Sequence, residues 1–252
     1  MVFTADIGNT VIAIAGITDG KIQFSFRLAS ELHKTSDQYA AEISAVMKLH
    51  GFDVSCIDGA AVSSVVPPLI PVFKAACELL FGCRTVIVGP GVKTGLNIKI
   101  DDPAQLGSDI VALTVGALSK YEAPLILVDL GVVTTMSVVD AARAFCGTII
   151  MPGVASALEE LSHTAGSLPM VSIAPPRTLI GTNTADSMRS GAINGMCAMI
   201  DGLIDRIGEE IPGVPRVVAT GDFAACIAPR CAHSITRDDT LLLDGLCHLH
   251  HK

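Results

Sequence analysis

Two stretches of the sequence share one pattern: "VFTADIGNTVIAIAGITDGKI" at residues 2–22 and "LILVDLGVVTTMSVVD" at residues 125–140. Each reads as an apolar strand, an Asp-x-Gly turn and a second apolar strand. The two aspartates, Asp6 and Asp129, stand 123 positions apart. A single Asp-x-Gly is typical of an ordinary hairpin turn, but two copies, each at the start of a half-chain, favour a duplicated unit.

Composition restricts the classes of partner. The chain has 252 residues, of which 50% are hydrophobic and 17% charged, so it can bury a substantial core. Its net charge is −8 and it contains no run of Lys or Arg. These properties argue against nucleic acid or an anionic membrane as a partner, whereas a small anionic substrate needs only a locally positive site.

The eight cysteines form no C-x-x-C pair, and each has apolar neighbours. The first lysine is Lys21, so the N-terminus lacks the basic region of a signal peptide. Every apolar run is interrupted by Asp, Pro or Lys before it reaches about 18 residues. We therefore expect a cytoplasmic protein whose thiols are reduced and mostly buried.

Strand and helix signals alternate along the chain, which favours an α/β fold. Strands are predicted at 2–7, 10–17, 21–28, 57–65, 85–91, 125–129, 133–140, 145–150 and 216–220, and helices at 36–50, 69–81, 104–119, from 153, 184–210 and 239–249. The first of these helices is expected to start at a Ser or Asp cap. Because the pattern repeats, we divide the chain into lobes at 1–117 and 118–252.

The repeated turn has a chemical use. Glycine lets the backbone approach a phosphate group, while turn N–H groups and Thr hydroxyls donate hydrogen bonds to its oxygens. An aspartate beside such a turn suits a metal cation. This layout resembles the actin, hexokinase and heat-shock ATPase superfamily, whose two ribonuclease-H-like lobes are related by a pseudo-twofold axis and face one cleft. "VVATGDF" at residues 217–223 is similar to the adenosine loop of that superfamily.

Six motifs, in order, resemble the type III pantothenate kinase family. They are "DIGNT" at 6–10, "SSVVPP" at 63–68, "GVKTGLNIKIDDPAQLGSD" at 91–109, "VDLGVVTT" at 128–135, "IIMPGVASALEELSHTAGSLP" at 149–169 and "GTNTADSMRSGAING" at 181–195. The resemblance runs from Asp6 almost to the C-terminus. It implies that ATP phosphorylates the primary hydroxyl of pantothenate, the first step of coenzyme A biosynthesis, in a homodimeric enzyme.

The resemblance also implies a role for each matching residue. Asp109 would be the general base, Asp6 would lie near Mg²⁺, and Asp129 would bind a monovalent cation, K⁺ or NH₄⁺. The ATP phosphates and adenosine would contact Asp6, Gly8, Asn9, Thr10, Gly131, Val132, Thr134, Thr135 and Gly221, and pantothenate would contact Ile100, Gly107, Ser108, Ile110 and Thr184.

Four positions depart from the family pattern. Ile110 replaces the Arg that follows the catalytic Asp, and Ile100 stands where Tyr is common. Val132 replaces a Thr of the second phosphate motif, and Asp222 replaces the second Gly of the adenosine loop. Each change removes a polar contact or adds negative charge near an anionic ligand. An alternative function is therefore a weakly active or non-catalytic relative with a regulatory or binding role.

Two further residue patterns have simpler structural interpretations. Asp109 could be an acid placed at a helix N-terminus, where the helix dipole favours negative charge. The tail "CHLHHK" carries His248, His250 and His251, which could bind a transition metal, although the solvated end of the last helix is the simpler expectation.

Overall fold

The computed structural model of the protein describes residues 1–89 and 92–252, so the turn predicted at the end of 85–91 lies outside the described residues. The chain forms two compact units. The first contains Met1–Leu96, Asp101–Lys120 and Thr240–Lys252, and the second contains Asn97–Ile100 and Tyr121–Asp239. These two units differ from the predicted lobes 1–117 and 118–252, because the C-terminal segment packs in the first unit.

Most predicted elements are present, with small shifts at their ends. The strands are β1 Val2–Ile7, β2 Val11–Thr18, β3 Lys21–Ala29, β4 Gly59–Ser64, β5 Thr85–Ile87, β6 Asn97–Ile98, β7 Leu125–Leu130, β8 Val133–Val139, β9 Ala144–Pro152, β10 Arg216–Thr220 and β11 Ile235–Arg237. The helices are α1 Ser36–Leu49, α2 Leu69–Phe81, α3 Ser108–Lys120, α4 Val154–Thr164, α5 Thr184–Glu210, α6 Ala224–Ile227 and α7 Leu241–His250.

The two sheets repeat one strand order. The first runs β3-β2-β1-β4-β5, and the second runs β9-β8-β7-β10-β11 with β6 added beside β9. In each sheet the first three strands are antiparallel, and the next two are parallel to the central strand. The duplication expected from the two Asp-x-Gly stretches is therefore present in the topology, and the mixed α/β class is confirmed.

The local sequence explains how the edge strand β3 forms. Asp19 and Gly20 both have positive φ, at 51° and 69°, and form the two-residue turn that joins β2 to β3. Such turns match the right-handed twist of a hairpin, which is why Asp-Gly is favoured there. Along β3 exposed and less exposed residues alternate, as expected of a strand with one face toward solvent.

Helices cover both faces of the first sheet. On one face, Phe3 and Ile14 pack with Tyr39 of α1 and Phe73 of α2. On the other, Val2, Ala15, Ile17 and Ala61 pack with α3 and α7. The alternation of Val2 and Phe3 between two cores shows that both faces of β1 are buried, so the strand has no solvent-facing polar side.

Helices α3 and α7 cross at two glycines. A Cβ placed on Gly116 would lie 1.9 Å from the Leu241 carbonyl oxygen, and one on Gly245 would lie 1.8 Å from that of Ala112. Real Cβ atoms do not approach so closely, so the crossing requires glycine at both positions. Lys120 Nζ also lies 2.5 Å from Asp244 Oδ2, which joins the C-terminal end of α3 to α7.

The second unit has its own core on one face of its sheet. Ile126 and Val128 of β7 pack with the buried face of α5, which includes Ile193 and Ile204, and with Ile227 of α6. The 27-residue helix α5 thus supports the central strand that carries Asp129.

Some predicted boundaries and caps were wrong. Helix α3 begins at Ser108 rather than 104, because the Asp102 carboxylate accepts from Ala104 N–H at 3.0 Å and closes a short 3₁₀ turn before it. The cap of α1 is Thr35, whose side chain accepts from Gln38 N–H at 3.3 Å. Strand β11 and helix α6 were not predicted, since both are too short for a clear periodicity.

The histidine tail is only partly solvated. His248 and His251 are exposed, but the His250 ring packs against Gly59, where an added Cβ would lie 2.2 Å from Nε2. Burial lowers the pKa of His250. Among the described residues, no group of three or more His, Cys, Asp or Glu could hold a metal ion, and none of the described helices is long and apolar enough to cross a membrane.

The glycine crossing can be tested by adding one methyl group. We expect Gly116→Ala to lower the free energy of unfolding by about 1–3 kcal/mol or more, because the new Cβ overlaps the Leu241 carbonyl oxygen. The measurement is urea unfolding followed by circular dichroism.

Gly208→Ala is the matched control, since Gly208 lies in α5 with open space around its Cα. It should leave stability unchanged or raise it by up to about 1 kcal/mol, because alanine favours helix. Equal stability of Gly116→Ala and the natural protein would show that the crossing is not a tight backbone contact.

Candidate active site

The first acidic turn joins β1 to β2. Asp6 is the next-to-last residue of β1, and Gly8 N–H donates to the Val11 carbonyl at 3.0 Å. A Cβ on Gly8 would lie 2.9 Å from that same oxygen, so the turn accepts only glycine without adjustment. Asn9 and Thr10 are exposed at its tip. The turn is therefore a close hairpin whose exposed tip is accessible to a ligand.

Ser30, which directly follows β3, holds this turn from behind. Its N–H donates to the Thr10 carbonyl at 3.0 Å, and its hydroxyl donates to the Gly8 carbonyl at 2.6 Å. With both carbonyls bonded to Ser30, the turn is held in one conformation. Ser30 was not recognised from the sequence, because nothing local distinguishes it from other serines at strand ends.

A chain of hydroxyl contacts connects Asp6 to the start of α3. Ser63 lies opposite Asp6 in the β1–β4 pairing, and its hydroxyl donates to Asp6 Oδ1 at 2.6 Å. The next residue, Ser64, is bonded twice to Ser108, whose hydroxyl accepts from Ser64 N–H and donates to the Ser64 carbonyl, both at 3.1 Å. The end of β4 therefore fixes the N-terminus of α3.

Asp109 lies in the first turn of α3 and folds back over Gly107. A Cβ at Gly107 would lie 2.3 Å from Asp109 Oδ1, so glycine is required for this carboxylate position. The side chain is half-buried. The helix dipole stabilises an acid here. Asp109 is therefore an acid at a helix N-terminus, and this position is compatible with a catalytic role.

Ile110 points away from solvent. Its side chain is only 9% exposed, and its carbonyl accepts from the Thr114 hydroxyl at 2.7 Å. An apolar residue is favoured at such a position. In this chain, therefore, the residue after Asp109 contributes to packing. Ile100 is half-buried and belongs to the second unit.

The second acidic turn repeats the first in the second sheet. Asp129 is the next-to-last residue of β7 and lies opposite Thr220 of the parallel strand β10, as Asp6 lies opposite Ser63. Gly221 follows Thr220 with φ +93°. A Cβ there would lie 2.5 Å from Asp129 Oδ1 and 2.6 Å from the Leu130 carbonyl carbon, so the loop after β10 needs glycine.

Helix α4 supports the tip of this second turn. A Cβ on Gly153 would lie 2.2 Å from the Val132 carbonyl oxygen, and the Ser156 hydroxyl donates to that oxygen at 3.0 Å. The Val132 and Val133 side chains are 47% and 45% exposed. Because valine side chains carry no hydrogen-bond donor, this tip can donate to an anion only through its backbone N–H groups.

Thr134 and Thr135 follow the tip in β8. Thr135 is half-buried opposite Asp129. Thr134 is fully buried, and its hydroxyl has no hydrogen-bond partner within residues 1–89 and 92–252. Leaving such a group unpaired costs about 1–3 kcal/mol, so the second turn holds an unsatisfied polar atom that a bound group could satisfy.

The remaining predicted residue, Thr184, is exposed at the first position of α5, next to the cap Asn183, which accepts from Asp186 N–H at 2.9 Å. The predicted residues therefore fall into two sets. The first unit holds Asp6, Gly8, Asn9, Thr10, Gly107, Ser108, Asp109 and Ile110, and the second holds Ile100, Asp129, Gly131, Val132, Thr134, Thr135, Thr184 and Gly221.

Comparison with known structures identifies the class of fold. The activator of the 2-hydroxyisocaproyl-CoA dehydratase from Clostridium difficile, solved with bound ADPNP, aligns with a TM-score of 0.58 at 12% identity, over 98% of this chain and 92% of that one. This likeness concerns the fold alone. With the duplicated strand order, it shows that this chain shares a two-sheet α/β fold with that activator.

Sequence comparison identifies the family. A sequence model described as type III pantothenate kinase matches residues 2–206. The type III pantothenate kinase of Halalkalibacterium halodurans is 36% identical over 98% of this chain and 97% of its own length. That of Pelobacter propionicus is 38% identical over the same shares of the two chains. The chain belongs to the type III pantothenate kinase family, whose members phosphorylate pantothenate.

Substitution of Thr134 tests whether its unpaired hydroxyl contacts a ligand. We expect Thr134→Val to keep or slightly raise stability, because it removes an unsatisfied buried group. If bound phosphate satisfies that hydroxyl, the KM for ATP should rise about two- to tenfold, the value of one neutral hydrogen bond. Steady-state kinetics and urea unfolding measure the two effects.

Thr85→Val provides the control, since Thr85 in β5 is the other buried threonine whose hydroxyl has no partner in the described part of the chain. It should also leave stability unchanged or higher, and it should not alter the KM for ATP. A Thr134→Val enzyme with unchanged ATP kinetics would exclude the hydroxyl as a ligand contact.

Proposed function

We propose that this chain transfers the γ-phosphoryl group of ATP to the primary hydroxyl of pantothenate, with Asp109 as the general base. In this step the Asp109 carboxylate takes the hydroxyl proton, the hydroxyl oxygen forms a bond to the γ-phosphorus, and the bond to ADP breaks. Family membership supports the reaction. The observation that carries the role of Asp109 is its half-buried carboxylate, which lies against Gly107 at the start of α3.

The two acidic turns are proposed as the phosphate-binding elements. The turn at 8–10 is held by Ser30, and the turn at 131–133 is held by Gly153 and Ser156. A rigid turn with backbone N–H groups at its tip binds anions without reorganising. Gly221, which only glycine can occupy beside Asp129, is proposed to lie against adenosine.

The pantothenate site is proposed to include Gly107 and Ser108, which lie beside the general base. The double hydrogen bond between Ser108 and Ser64 supports this position, because it fixes the backbone around Asp109. Ile110 is proposed to act indirectly, by packing beneath Asp109, since its side chain is buried.

A divalent cation fits the acids of this chain. Mg²⁺ usually binds one or two carboxylates together with substrate phosphates and water, without an all-protein cage. The described residues contain no cluster of three or more acidic, His or Cys ligands, and Asp6 places a carboxylate directly before the first phosphate turn. Asp6 would hold Mg²⁺, which would neutralise phosphate charge when bound.

A monovalent cation is proposed at Asp129. Its carboxylate lies beside the tightly packed Gly221 loop, and Thr220 stands opposite Asp129 on the neighbouring strand, so a carboxylate is available there for K⁺ or NH₄⁺. Turnover in K⁺ compared with Na⁺ measures the requirement. A natural enzyme that is equally active in Na⁺ alone would contradict it.

A homodimer is proposed through the second unit. Its large exposed apolar side chains include Ile150, Leu161, Met170, Leu179, Ile180 and Met199. A cavity of about 340 Å³ lies between α4 and residues 170–173. Exposed apolar side chains in this number favour burial against a second copy. We expect a dimer in sedimentation at micromolar concentration; a monomer there would contradict the proposal.

The role of Asp109 can be tested by removing its basicity. We expect Asp109→Asn to lower kcat about 10²–10⁴-fold, because an amide cannot accept the hydroxyl proton. The circular dichroism spectrum and the unfolding midpoint should stay close to those of the natural protein, since the shape of the side chain is kept. Turnover is measured as pantothenate-dependent release of ADP.

Asp101→Asn is the control, because Asp101 is an exposed acid eight positions before Asp109. It should leave kcat unchanged. If Asp109→Asn retained full activity, another base would be at work. If the natural protein itself released no ADP in the presence of pantothenate, the proposed function would be wrong.

A further inference from the structure

One face of helix α5 is joined to the segment that follows α6. The Asp201 carboxylate accepts from Ala232 N–H at 2.8 Å and from His233 N–H at 3.1 Å. His233 Nε2 lies 2.9 Å from Asp205 Oδ1. Asp201 and Asp205 are one and two helical turns beyond Cys197 on α5, so Cys197 lies on the same face, opposite Cys231.

The two thiols are direct neighbours. Cys197 Sγ lies 3.7 Å and Cys231 Sγ 3.6 Å from the same acceptor, the Ile227 carbonyl oxygen, and the thiols also hydrogen bond to each other. All eight cysteines are free thiols. The proposed phosphoryl transfer uses neither Cys197 nor Cys231.

Their chemistry is asymmetric. Cys197 is 5% exposed, and the hydrogen bond from Cys231 lowers the pKa of Cys197, with a further contribution from the positive charge of Arg230. The same hydrogen bond raises the pKa of Cys231, which is only half-buried. Solvent therefore reaches Cys231, while Cys197 holds the more stable thiolate beside it.

We propose that Cys197 and Cys231 are a thiol–disulfide exchange site that closes reversibly into an intramolecular disulfide joining α5 to the segment after α6. The co-reactant is a small-molecule disulfide. Cys231, the thiol that solvent reaches, gives up its proton and attacks one sulfur of the co-reactant, and the first small thiol leaves. Cys197 then attacks Cys231 Sγ and releases the second. One protein disulfide and two small thiols form, and the two cysteine protons end on the released thiols.

Closure changes the position of the segment that leads back to Gly221. A disulfide brings the sulfurs to about 2.05 Å, closer than hydrogen-bonded thiols, and removes both S–H donors from the Ile227 carbonyl. Ile227 N–H donates to the Phe223 carbonyl at 2.9 Å, and Phe223 N–H donates to the Leu130 carbonyl at 3.0 Å. Closure is thus coupled to the Gly221 loop, and its effect on ATP rests on the proposed role of that loop.

The disulfide itself is tested without reference to activity. The reduced full-length protein is equilibrated with oxidised glutathione, then alkylated and digested with trypsin. Cleavage after Arg230 separates residues 217–230, which contain Cys226, from 231–237, which contain Cys231. We expect a linked peptide of 190–206 with 231–237 that disappears with dithiothreitol. Linkage through Cys226, or only mixed disulfides with glutathione, would overturn the proposal.

Substitutions identify the pair and its effect. Cys231→Ser and Cys197→Ala should prevent the loss of two thiols on oxidation, whereas Cys226→Ser, on the same segment, should oxidise as the natural protein does.

Closure should change the Kd for an ATP analogue about fivefold or more, and the analogue should shift the disulfide equilibrium by the same factor. An unchanged Kd would overturn the coupling. Absence of nucleotide binding in the reduced protein would instead contradict the proposed function.

Discussion

The backbone contact between α3 and α7 is the constraint on which the first unit depends. Gly116 and Gly245 each face a carbonyl oxygen at a distance that no side chain permits, so the two helices meet main chain to main chain. Residues 240–252 must therefore return from the far end of the sequence before this face of the first sheet is covered. Since α3 begins with Ser108 and Asp109, the last segment of the chain supports the proposed catalytic base.

The repeated strand order explains why the chain has two acidic turns of the same form. In each sheet a central strand ends in Asp-x-Gly and lies beside a parallel strand that provides a hydroxyl opposite the acid, Ser63 for Asp6 and Thr220 for Asp129. Ligands in open α/β sheets bind outside the carboxyl ends of the strands. The topology thus places an acid, a hydroxyl and a turn with free tip residues at equivalent points of both sheets.

The sequence predicted those parts of the fold that depend on local pattern. Helices α2 and α5 and strand β10 have the predicted bounds, because apolar spacing, the cap Gly82 and Pro212 after α5 are local signals. The supports of the site could not be predicted in this way. Ser30, Ser156 and the return of α7 to α3 depend on contacts between distant residues, and Thr134 shows its unpaired hydroxyl only when its burial is known.

Two of the four departures from the family pattern, Val132 and Asp222, lie on turns whose backbone is closely packed. Val132 and Asp222 are exposed, whereas Gly153 and Gly221, beside them, are held in contacts that exclude any Cβ. In a turn that binds anions through N–H groups, the path of the main chain determines the geometry and the exposed side chain only adjusts affinity. The chain therefore keeps the glycines that set both turns, and the replacement of Thr by Val132 removes a neutral contact that contributes about 1 kcal/mol.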